Sequence, residues 1–177
     1  MMATLVLLWG NNIHNKSRIQ EVNKELLPFY DTTHIHTYRH RNLWTWTMDM
    51  EYECEQLYTY LKDLKWSIIL FCKSLWSLLA LKTIVEKDIF IKQCIFVGFP
   101  LWYSQLHSFP LEKYLKELTC PVLWIQKTND PAWGYATITK QLWSLSPAFT
   151  CKEIPGDNHD YSEITLLKQI ILDNNAR

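Results

Sequence analysis

Six short apolar runs, each followed by a longer amphipathic one, constrain this chain more than any other feature of its sequence. The apolar runs cover residues 4–9, 33–38, 67–71, 93–98, 122–126 and 150–154. The amphipathic runs cover 17–27, 50–64, 75–86, 111–117, 132–145 and 162–172. Short, nearly continuous apolar runs suit strands buried on both faces, and the lengths between them suit crossover helices. The expectation is an α/β fold, a three-layer sandwich with a mostly parallel six-stranded sheet and helices on both faces. At 177 residues the chain suits one domain spanning 1–177. The run from residue 75 is apolar nearly all round (Leu75, Trp76, Leu78, Leu79, Leu81, Ile84, Val85), so its helix should lie buried against the middle of the sheet.

Eighteen basic side chains balance eighteen acidic ones. That removes the electrostatic case for a nucleic-acid or anionic-membrane partner and leaves a small molecule as the expected one. Five widely spaced cysteines (Cys54, Cys72, Cys94, Cys120, Cys151) form no C-x-x-C pair, which suits buried free thiols in a reducing, cytoplasmic setting. The opening "MMATLVLLWGNN" has no basic stretch and too short an apolar run for a bilayer, so it reads as a strand. No G-x-G-x-x-G or G-x-x-x-x-G-K-S/T follows that strand, which excludes the usual dinucleotide and phosphate cradles.

In open parallel sheets, ligands gather at the carboxyl ends of the strands, where loops and helix N-termini converge. Those positions here hold Gly10-Asn11-Asn12, Ser74, Gly98-Phe99-Pro100, Asn129-Asp130 and Gly156-Asp157-Asn158-His159. A serine, an aspartate and a histidine thus occupy separate strand-end loops in that chain order. A serine hydroxyl is a poor nucleophile unless a base takes its proton and a third group holds that base in the right tautomer. His159 and Asp130 are the candidates for those two roles. Ser74 has an alternative as an N-cap. Asp130 has one at the start of the helix after Pro131, and Asp157, Asp160 and Glu163 are other acids close to His159.

The order Ser, Asp, His resembles that of the alpha/beta-hydrolase superfamily, whose serine sits on a strand-to-helix turn of pattern G-x-S-x-G. "CPVLWIQKTNDPAW" looks like the family's strand and acid loop, and "CKEIPGDNHDYSEI" looks like its last strand and histidine loop. "LVLLWGNN" looks like the first core strand with the loop that helps to bind the oxyanion. The resemblance covers the whole chain and is to compact members without a cap domain, of the retinoblastoma-binding protein nine and dienelactone-hydrolase type. It implies a serine hydrolase acting on a small ester or related acyl substrate. Ser74, Asp130 and His159 would be its catalytic residues, and the amides of Leu75 and of Asn11 or Asn12 its oxyanion donors. No metal or organic cofactor is implied.

The departure lies at the turn, where Cys72 and Trp76 replace both glycines of the pattern. Small residues are wanted there because the turn brings the two flanking positions together. Either the Trp76 ring swings away over the helix, or the turn relaxes and Ser74 is misaimed. The second case implies a catalytically impaired hydrolase fold that binds a ligand or protein. Lys73, beside Ser74, reads as a polar residue of the turn, because adjacent residues there diverge. The stretch "GFPLWYSQLHSFPLEKY" reads as an aromatic loop from which Trp102 and Tyr103 would line a substrate pocket. His34, His36 and His40 suit a strand surface better than a metal site, since no acidic or cysteine ligand joins them in sequence.

Overall fold

Every apolar run forms a strand, giving β1 (Ala3–Leu8), β2 (Thr32–His36), β3 (Ser67–Lys73), β4 (Gln93–Val97), β5 (Val122–Lys127) and β6 (Phe149–Ile154). The computed structural model describes residues 3–10, 13–36, 38, 49–65, 67–142 and 149–175. The strands form one sheet in the order β2-β1-β3-β4-β5-β6, and each neighbouring pair is parallel. A parallel pair needs a crossover, and helices supply it: α1 (Ile13–Leu26), α2 (Met50–Leu61), α3 (Leu75–Lys87), α4 (Leu101–Leu106), α5 (Leu111–Glu117) and α6 (Tyr135–Leu142), while α7 (Ile164–Asn175) follows β6.

Side chains alternate between the sheet's two faces, and the core divides accordingly. Val6, Leu70, Cys72, Phe96 and Trp124 pack with Leu57 of α2, Leu78 and Leu81 of α3, and Leu115 of α5. On the other face Leu7, Phe71, Val97 and Ile125 pack with Ile19 and Val22 of α1 and Ile171 of α7. Helix α3 is buried from Ser77 through Ile84, as its all-round apolar sequence requires.

Two expectations need correction. The aromatic stretch after β4 is not a single loop, because it contains α4 and the start of α5. Pro100 and Pro110 stand at their N-cap positions, where a missing N–H costs nothing. Helix α6 begins at Tyr135, not at residue 132, since Trp133 takes a left-handed φ of 101° that no helix tolerates. Cys54, Cys72, Cys94 and Cys120 are buried free thiols, and Cys151 is a half-buried one. Burial pushes the thiols of Cys72 and Cys94 well above the ordinary range. Among the described residues, no helix is long and apolar enough to cross a membrane, and no group of three or more His, Cys, Asp or Glu is placed to hold a metal.

The central position of α3 is testable. Leu79, fully buried, should cost about 2–5 kcal/mol when changed to alanine. Leu166, exposed on α7, should cost no more than about 0.5 kcal/mol. Urea denaturation of Leu79→Ala and Leu166→Ala measures both, and equal losses would contradict the burial of α3.

Candidate active site

Ser74 is the hinge between β3 and α3, with φ 57° and ψ −131°. A non-glycine residue held there stores strain on the order of 1–3 kcal/mol. The surroundings hold it in place. The Ser74 N–H donates to Val97 O at 2.9 Å, which carries the β3–β4 ladder into the turn. Ser77 N–H donates to Ser74 O at 2.9 Å, and the buried Ser77 hydroxyl reaches back to Cys72 O at 3.1 Å. The Ser74 side chain does not cap α3. Its Oγ lies 2.8 Å from His159 Nε2 instead.

The other ring nitrogen, His159 Nδ1, lies 2.9 Å from Asp130 Oδ1 and 3.0 Å from Oδ2. Asp130 is only 3% exposed. Burial alone would raise its pKa, but hydrogen bonds from His159 and Tyr161, the nearby imidazole and the Ala132 amide outweigh it, and the carboxyl is held below its usual range. Tyr161 Oη donates to Oδ2 at 2.7 Å, and Ala132 N–H donates to Oδ1 at 2.7 Å. Asp130 therefore closes its own turn with the Ala132 amide and is not the N-cap of α6. Backbone bonds tie the acid loop to the histidine loop, from Thr128 N–H to Ile154 O and from Asn129 N–H to Gly156 O, both at 2.9 Å.

No protein-family model matches the sequence, and no curated protein matches it. Solved structures do match it in shape. Est1E from Butyrivibrio proteoclasticus superposes with a TM-score of 0.74 at 14% identity, covering 99% of this chain and 89% of that one. An alpha-beta serine hydrolase homologue from Coxiella burnetii gives 0.73 at 15% identity, covering 98% and 84%. An N-formylmaleamic acid deformylase from Pseudomonas putida S16 gives 0.72 at 14%, covering 96% and 92%. The fold is that of the alpha/beta-hydrolases.

Within this alpha/beta-hydrolase fold, Trp76 leaves the turn sideways. Its ring stacks on Tyr38, with centroids 3.3 Å apart and 13° between planes. Its Nε1 lies 3.7 Å from the point a Cβ on Gly10 would occupy. The ring thus lies towards the ends of β1 and β2, while Ser74 keeps its left-handed φ. Leu75 is the first residue of α3, where the opening N–H groups of a helix have no intrahelical partner. Asn11 and Asn12 lie outside the described residues, as does His40. Trp102 and Tyr103 stand on α4, their rings 5.7 Å apart, with Tyr103 stacked on His107 at 4.0 Å. His34 and His36 both pack against Tyr60, which agrees with a shared strand face.

Sequence reasoning missed two residues. Tyr161 is fully buried against Asp130, and Lys127 is fully buried at the end of β5, donating to Asn158 Oδ1 at 2.8 Å and Glu163 Oε1 at 2.9 Å. A lysine closing an apolar strand was the one available signal for the second. Gly98 makes room for this packing. With φ at +60°, a Cβ there would come within 2.6 Å of the Tyr161 ring and 3.0 Å of His159 Cε1.

The depressed Asp130 carboxyl predicts a signed pH effect on stability. A group whose folded pKa lies below its ordinary 3.8 contributes stability above that pH and loses it as pH falls through the folded value. The advantage of wild type over Asp130→Asn in urea unfolding should hold from neutral pH to about 4 and shrink below it. An advantage that does not shrink below about pH 4 would contradict the depressed carboxyl.

Proposed function

We propose that the protein is a serine hydrolase acting on a small ester or related acyl substrate through Ser74, His159, Asp130 and an acyl-enzyme. One observation carries the reading: hydrogen-bond contacts of 2.8 Å and 2.9 Å link a serine hydroxyl on a strained turn, through one imidazole, to a buried carboxylate. With its Nδ1 proton directed at Asp130, His159 presents Nε2 as the acceptor of the Ser74 proton. Ser74 Oγ attacks the acyl carbon as His159 takes that proton. His159 then returns the proton to the departing alcohol or amine, leaving the acyl group on Ser74. Water, activated in turn by His159, displaces the acyl group as a carboxylic acid and regenerates the serine.

The developing oxyanion needs preorganised donors. The Leu75 N–H at the head of α3 is one candidate, and an amide of Asn11 or Asn12 is the other in this proposal. Trp102 and Tyr103 are proposed to shape the substrate side of the site. Among the structures of similar fold, Est1E has been seen with ferulic acid bound, which supports a small carboxylic acyl compound as the substrate class.

A fluorophosphonate probe, which phosphonylates activated serines, tests the proposal. Wild type should label, Ser74→Ala should not, and His159→Ala should label about 10²–10⁴-fold more slowly. Absence of Ser74-dependent labelling in folded protein would favour a catalytically impaired binding module, the reading that the bulk of Trp76 motivates. In that case Trp76→Gly should restore labelling.

A further inference from the structure

The Asp130 carboxylate serves two side chains at once. His159 Nδ1 lies within 3.0 Å of both its oxygens, and Tyr161 Oη donates to Oδ2 at 2.7 Å. The phenol is held in turn, because its oxygen accepts the Lys127 backbone N–H at 2.8 Å and its ring is fully buried beside Gly98. Burial and the Asp130 charge keep the phenol protonated, so it remains a donor throughout the working pH range.

Two ammonium groups stand over this one ring. Lys127 Nζ lies 5.2 Å from its centroid and Lys73 Nζ 5.8 Å. They come from β5 and β3, the strands on either side of β4. Asn158 and Glu163 anchor Lys127, which is wholly buried. Lys73 is 7% exposed, burial pulls its pKa down to about 8, and among the described residues its ammonium, present below that pH, lies against the Trp9 and Tyr161 rings without a hydrogen bond or ion pair. Cations over an aromatic face are attracted to its electrons. They draw density from the phenol oxygen and strengthen its O–H as a donor.

We propose that Tyr161 is a positioning residue that orients the Asp130 carboxylate and limits how much of its charge reaches His159, with Lys127 and Lys73 supporting the phenol. This rests on the Ser74–His159–Asp130 reading above. The sign follows from electrostatics. Without the hydroxyl, Asp130 has one donor fewer and holds a protonated imidazole more strongly, so the general base becomes available only at higher pH. Removing the Lys73 charge acts in the same direction, since a cation over the Tyr161 ring that strengthens the phenol as a donor is lost. The other charged groups facing the cluster are Lys127 of β5, Arg18 of α1, and Asp160 and Glu163 of the histidine loop, and they stay in place in each variant.

The experiment is the rate of fluorophosphonate labelling of Ser74 between pH 5 and 9, with thermal stability measured alongside. In Tyr161→Phe the acid limb should move up by roughly half to one pH unit, slowing labelling on that limb about 3- to 10-fold, with a smaller loss on the alkaline plateau. Lys73→Met should move it the same way by less. With Asp130 already changed to Asn, Tyr161→Phe should move nothing. Superimposable acid limbs, accompanied only by a lower melting temperature, would overturn the proposal and make Tyr161 a core residue. If Tyr161→Phe does not fold, Lys73→Met decides by the same criterion. Wild type without Ser74-dependent labelling would overturn the triad reading, and this one with it.

Discussion

A carboxylate taken out of water costs several kcal/mol unless hydrogen bonds and nearby charge offset the loss, and Asp130 is such a carboxylate. Its three partners come from three places: the Ala132 amide from its own turn, the imidazole from the loop after β6, and the phenol from the run leading into α7. None of them is close to it by sequence alone except the amide. The loops must therefore meet for the anion to be tolerated. The backbone bonds from Thr128 and Asn129 to Ile154 and Gly156, with the buried Lys127 reaching Asn158 and Glu163, are what make them meet.

Strain at Ser74 is the complementary constraint. Its left-handed φ is stabilised by the β3–β4 ladder behind it and by the Ser77 hydroxyl beside it. The cysteine at the position two before fits because Cys72 is buried within the α3-side core. The tryptophan two after fits because its ring is drawn off by stacking on Tyr38. An aromatic contact with the end of β2 thus takes the place of the empty space a glycine would leave. In the proposed mechanism this leaves the hydroxyl beside His159 and the helix head beside it.

The layers of the fold were legible because continuous apolar runs alternate with amphipathic ones, a pattern that only a parallel, doubly covered sheet satisfies. Ser74, Asp130 and His159 were legible as strand-end residues, since parallel strands deliver all their carboxyl ends to one edge. Their hydrogen-bond distances were not, because these depend on loop closure. Tyr161 carries no periodic signal, and its position follows from a left-handed turn at φ 54° that nothing in "HDYSE" marks. Helix α4 was hidden for a related reason: six residues between two prolines are too few to display a helical period. The Trp76 question had two answers in sequence terms, and the deciding partner, Tyr38, lies beyond the end of β2, far from the turn in sequence.

The measurement that bears most directly on the central claim is a crystal structure of the protein after reaction with a fluorophosphonate. The account predicts a bond from Ser74 Oγ to phosphorus, with a phosphonyl oxygen about 2.7–3.1 Å from the Leu75 N–H and His159 still bridging to Asp130. An adduct on a different residue, or an unmodified Ser74 with its hydroxyl still against His159, would contradict it.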